Sequence, residues 1–174
     1  MRTVAKQPFN RPLQAVCSAL LLASLCLGAC GFHPRGLTEV TFKSIFIQGH
    51  SLSISRELQQ TFKSNGIQVI ENQSRAALLL EMLNEHNEKH ILSLSGGGAV
   101  REYELVYQLN FRTRLPGNPL WSEPQTVLSR RNFSYKDTAL LAKLDEENKL
   151  NADMRSEVIR EVMRRLSAIK LSQP

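Results

Sequence analysis

Cys30 is the residue whose setting most directly dictates chemistry in this chain. Leu27-Gly28-Ala29-Cys30 closes an apolar run from Ala15 to Leu27, and Arg2, Lys6 and Arg11 are the only charges before residue 35. A basic n-region, an apolar stretch of about 7 to 15 residues and small residues before the cut describe an export signal, too short to span a bilayer comfortably. The four residues resemble the bacterial lipobox. Small side chains fit the signal peptidase, and the thiol is needed because a thioether to diacylglycerol forms before cleavage frees the Cys30 amine for a third acyl chain. Stable anchoring takes two or more chains, which this chemistry supplies. Residue 31 is Gly rather than Asp, resembling the pattern of lipoproteins sorted to the outer membrane.

Other reactive groupings are weaker. His86 and His90 are four apart, a zinc spacing on a helix, but Asn87 stands where H-E-x-x-H needs its base. The surrounding pattern is extended, and four strand residues separate side chains by about 13 Å, too far to share a metal. Gly96-Gly97-Gly98 lacks the Lys-Ser/Thr and the helix of a phosphate loop and reads as a hairpin turn. There is no G-x-S-x-G, no free cysteine after maturation and no evident carboxylate pair, so the sequence offers no enzyme chemistry and implies no cofactor or metal. Arg130-Arg131 beside Phe133 and Tyr135 mixes basic and aromatic residues as single-strand nucleic-acid binders do. Export argues against nucleic acid, leaving an anionic glycolipid or a merely solvated basic edge. Arg160, Arg164 and Arg165 complement the end of a helix dipole.

These residues must be positioned by what survives maturation. Of 174 residues, with 22 basic against 16 acidic and three cysteines, cleavage leaves 145 residues with 19 basic against 16 acidic, a charge of +3. Cys17 and Cys26 leave with the signal and Cys30 is taken by lipid. No disulfide remains, and stability rests on packing. Hydrophobic residues make up 42% of the chain and charged ones 22%, which excludes disorder along the whole length. The expected organisation is a signal at 1–29, a lipidated tether at 30–40 and one α+β domain at 41–174.

Thr41 to Ile47 reads as a strand. A helix follows on the stripe Ile54, Leu58 and Phe62, which Ser51 or Ser53 can cap and Asn65-Gly66 stops; Ile67 to Ile70 is a short strand, and if it pairs in parallel with the first the crossover is right-handed. Ala76 to Glu85 is a strand whose polar continuation toward Ser95 projects beyond the body. The return strand alternates Tyr103, Leu105, Tyr107, Leu109 and Phe111 with Glu102, Glu104, Gln108, Asn110 and Arg112, so one face packs on a core and the other meets something polar. After the turn at Pro116-Gly117-Asn118-Pro119, Gln125 to Tyr135 is the last strand. Thr138 to about Ile169 is helical, with Leu140, Leu144, Met154, Val158, Val162, Leu166 and Ile169 on one stripe, Leu141 and Ile159 at its edge, and a break possible at Asn148 to Asp153. The sum is a two-layer α+β sandwich: a four- to five-stranded, mostly antiparallel mixed sheet with two helices on one face.

Cys30-Gly31-Phe32-His33-Pro34-Arg35-Gly36 resembles the post-lipidation start of the LptE family, the LPS-assembly lipoproteins of Gram-negative bacteria. The likeness continues through Leu52-Ser53, Asn65-Gly66, Glu102-Tyr103 to Leu115-Pro116-Gly117, Leu141-Ala142-Lys143 and Arg164-Arg165-Leu166. It implies a non-enzymatic outer-membrane lipoprotein, facing the periplasm, that plugs the LptD β-barrel from within, binds lipopolysaccharide and assists its insertion into the outer leaflet. It also implies lipopolysaccharide-binding roles for Lys143 and Arg131. A second basic position of the family, just before the hairpin turn, falls at Ser95 here. The polar face of the alternating strand would meet the barrel. The competing reading is a free, periplasm-facing lipid carrier or envelope scaffold, which as a carrier requires an apolar cavity between its layers.

Overall fold

Five β-branched, aromatic or alternating segments become strands, and two amphipathic ones become helices. The computed structural model describes residues 40–136 and 139–169, which fall within one compact unit, Leu37–Pro174. The signal at 1–29, Cys30, the tether to residue 39 and Thr138 lie outside the described residues. In chain order the elements are β1 (Ser44–Gly49), α1 (Ser55–Ser64), β2 (Gln68–Val69), β3 (Leu78–Leu94), β4 (Val100–Arg114), β5 (Gln125–Ser134) and α2 (Leu140–Ser167). They form one sheet in the order β2-β1-β3-β4-β5. β1 pairs in parallel with β2 and β3, whereas β3–β4 and β4–β5 are antiparallel and much the longer ladders. The mixed α+β sheet with two helices is the architecture expected.

One core holds the layers together. Ile54, Leu58 and Phe62 of the first stripe are wholly buried, facing Leu78, Leu80 and Met82 of β3, Leu105 to Phe111 of β4 and Met154, Val158, Val162 and Leu166 of α2. Burying each such side chain contributes about 1.5–3 kcal/mol. α1 ends as its sequence dictates. Gly66 has φ +74°, the Gly66 amide donates to Lys63 O at 3.0 Å and the Ile67 amide to Phe62 O at 2.9 Å, a Schellman stop.

Two local expectations are corrected, and two features of α2 are decided by the structure. The first strand begins at Ser44 and runs to Gly49, later than Thr41 to Ile47. Neither Ser51 nor Ser53 caps α1. Its N-cap residue is Ile54, with no side-chain cap, because Ser53 instead turns toward β3, donating backbone N–H and hydroxyl to Glu85. α2 is continuous over 28 residues, so no break occurs at Asn148 to Asp153. The stripe of α2 is not buried throughout: Leu140, Leu141 and Leu144 are 49, 81 and 47% exposed. Periodicity tells which residues share a face, not whether anything lies opposite them.

A bulge decides which way β3 points. Met82 faces Phe111 and Asn84 faces Asn110, leaving Leu83 as the extra residue. Before it, even positions face the helices; after it, odd ones do, which brings Glu85 inward. Glu85 accepts from the Tyr107 hydroxyl and from Ser53, while Arg155 of α2 joins Glu57 of α1 at 3.1 Å alongside. Burial raises the Glu85 pKa, but the bonds from Ser53 and Tyr107 outweigh it and hold the carboxyl below its usual range; burial and Glu85 push the Tyr107 phenol up. A depressed folded-state pKa contributes stability above the unfolded value, near pH 4.5, that is lost as pH falls through the folded value. The melting temperature of the protein should therefore drop on acidification below about pH 4.5. Glu85→Gln should lower stability at pH 7 by about 1–2 kcal/mol and flatten that acid slope, as thermal melts from pH 7 to pH 3 would reveal.

Candidate functional site

The two basic residues singled out by resemblance are both in place on elements that meet. Arg131 lies on β5, on the helix-facing phase with Ser129 and Phe133, which are buried. Its Nη2 is 2.6 Å from Glu157 Oε2 of α2, and its Nη1 donates to the Arg130 carbonyl at 2.8 Å. Ser129 Oγ donates to the same Glu157 oxygen at 2.7 Å. That hydroxyl first, and then Arg131, hold the Glu157 carboxyl below its ordinary range. Lys143 sits in the first turns of α2, its side chain only 16% exposed, with Nζ 2.6 Å from Glu146 Oε2 and 3.3 Å from Ser134 Oγ at the end of β5. Arg131 thus belongs to β5, and Lys143 reaches the end of the same strand.

A third cation stands between these elements. Lys89 of β3 is 2.5 Å from Glu147 of α2, 4.2 Å above the Tyr103 ring and 5.4 Å from the Phe133 ring. Tyr103 stacks on Phe133 at 5.8 Å and meets Tyr135 edge-on at 5.2 Å. Lys89 was not legible as a site residue because it lies in a polar run whose facing is set by the bulge at Leu83. Each of the three cations is countered by a carboxylate of one helix: Glu146, Glu147 or Glu157. Around them Ile91, Leu140 and Leu144 leave about half their surface to solvent. Cations on an aromatic shelf, fringed by exposed aliphatic side chains, suit a ligand with anionic and apolar parts.

Ser95 closes the β3–β4 turn. Its Oγ accepts from the Ala99 amide at 3.1 Å, and Gly98 has φ +82°. That tri-glycine is a hairpin turn, as its sequence indicates. His86 and His90 both lie on extended β3, and among the described residues no group of three or more His, Cys, Asp or Glu is arranged to hold a metal ion. The helix-free face of the sheet carries polar residues that satisfy one another. Asn110 joins Asn84 and Thr126, and Glu81 takes bonds from Gln48 and Arg112, whose guanidinium also lies 5.1 Å from the Trp121 ring.

Comparison with known proteins places this arrangement. Residues 42–166 match the family model described as LptE, lipopolysaccharide-assembly. The chain is 26% identical over 157 residues to the LPS-assembly lipoprotein LptE of Pectobacterium atrosepticum, covering 87% of this chain and 84% of that one. It is 27% identical over 154 residues to the protein of the same name from Photorhabdus laumondii, covering 85% and 82%. Among solved structures, lipoprotein B of Nitrosomonas europaea superposes with a TM-score of 0.70 at 30% identity, over 79% of this chain and 91% of that chain. Rare lipoprotein B of Shewanella oneidensis shares the fold, with a TM-score of 0.64 at 22% identity over 72% and 94%. With the match running from the first strand to the last turns of α2, the chain belongs to the LptE family of lipopolysaccharide-assembly proteins.

Proposed function

We propose that this protein is an outer-membrane lipoprotein, triacylated on Cys30, that assembles with and plugs the LptD β-barrel and binds lipopolysaccharide. It thereby assists insertion of that lipid into the outer leaflet. The family match over 42–166 carries this reading. The patch of Arg131, Lys143 and Lys89 supports it locally, since lipid phosphates pair with cations and acyl chains with exposed Ile91, Leu140 and Leu144. The polar helix-free face supports a partner of matching polarity, with apolar anchors carrying affinity and charges setting orientation. A carrier has less support, because the space between sheet and helices is filled by the core side chains of both layers.

Purification from outer membranes in mild detergent tests the assembly. The expected result is a stable complex with a large β-barrel protein. A solely monomeric lipoprotein, with lipid bound and released by the protein alone, would favour the carrier instead.

A further inference from the structure

A second basic feature lies on α2, about 30 Å along the helix from Lys143. It is a groove of about 530 Å³ between α2 and the edge strand β5, lined by Leu128, by Arg160, Arg164 and Arg165, and by the carboxylates Glu157 and Glu161. One carboxylate, Glu161, serves two of these arginines: Arg164 Nε at 2.7 Å and Arg165 Nε at 2.8 Å. Arg164 first, then Arg165, hold that carboxyl down to about 2. Arg160 contributes to the field that holds Glu157 low without being drawn into an ion pair among the described residues, and the Arg164 side chain is 69% exposed. The helix dipole explains why cations are tolerated here. It does not explain why two guanidiniums share a single acid beside the exposed Leu128 at the sheet edge.

The chain enters the fold at the same end of α2. Thr41 Oγ1 donates to the Ile169 carbonyl at 3.1 Å, four residues beyond Arg165. From Cys30 to Val40 the chain can span no more than about 36 Å. A lipid on Cys30 would hold the arginines within reach of headgroups at high effective concentration. We infer that the α2–β5 groove binds the phosphates of anionic phospholipid in the leaflet that holds the Cys30 acyl chains, with guanidinium pairing at the rim and Leu128 against the glycerol backbone. This rests on the anchoring part of the reading above. It would give the anchored domain a defined orientation, with the Lys143 end of α2 farther from those headgroups than the arginines.

The test uses the lipidated full chain carrying an environment-sensitive fluorophore on Leu128→Cys, reconstituted in phosphatidylcholine vesicles with or without phosphatidylglycerol. Flotation reports the anchor separately from the groove. Expected is a several-fold rise in emission only with phosphatidylglycerol, abolished by Arg160→Gln with Arg164→Gln and by high salt, while flotation is unchanged. Equal emission on both vesicles, with the protein floating on both, would overturn the proposal. So would the same rise produced by inorganic phosphate without vesicles, or a rise seen only after a barrel protein is added. Failure to float on neutral vesicles with a persistent phosphatidylglycerol response would retain the groove and remove the anchor.

Discussion

Replacing Lys143 and Arg131 together by alanine should weaken binding to immobilised lipopolysaccharide by about a hundredfold, roughly tenfold for each, while the melting temperature changes little. The magnitude follows from the loss of one charge-assisted contact per residue, about 1.5–3 kcal/mol when well formed and less at a half-exposed site. Stability should survive because the ion pairs broken are with Glu146 and Glu157, whose side chains are 43 and 45% exposed. Pairs of that exposure contribute about 0–1 kcal/mol. Glu146→Gln provides the opposite arm: with its internal counter-ion gone, Lys143 should bind phosphate more tightly. A double variant with native melting and unchanged affinity would remove these two residues from the site.

The largest effect on stability is expected from Gly49→Ala. Gly49 has φ +103° and a Cβ added there would lie 2.1 Å from the Met82 carbonyl oxygen, which already accepts from the His50 amide at 3.2 Å. Both atoms belong to backbone, so neither can swing aside, and β1 would have to part from β3 at the centre of the sheet. A cost of about 3 kcal/mol or more is expected, a fall in melting temperature on the order of 10 °C. Gly117→Ala is the control. Its φ of +80° is equally left-handed, but nothing lies within 4 Å of the added carbon, so only about 1 kcal/mol should be lost. Equal losses at the two positions would mean that the close approach to Met82 does not matter.

Gly49 shows how legibility divides. Its role as a strand end is readable from the sequence, but its contact with Met82 depends on the parallel register of β1 and β3. The alternation from Glu102 to Arg112 is local and survives intact in β4, since a strand has only two faces and every second residue shares one. The run Leu78 to Leu83 carries no such information. Nearly every residue is apolar, so the bulge at Leu83 leaves no trace in the pattern. The facing of Glu85 and Lys89, and with it one of the three cations of the candidate site, is consequently invisible.

Taken alone, the amino-acid order determined the lipobox-like run before Cys30, the strands and helices, the stop at Gly66, the polar and apolar faces of β4 and the family resemblance from which Lys143 and Arg131 were drawn as candidates. All of these depend on neighbours within a few residues or on short ordered motifs. Tertiary structure decided which charges meet: Lys89 with Glu147, Arg131 with Glu157, Glu85 with Ser53 and Tyr107, and the chain's entry at Thr41 with the end of α2. Such pairings join residues 22 to 128 positions apart. They are fixed by sheet order, register and one bulge, which follow from the packing of the whole core.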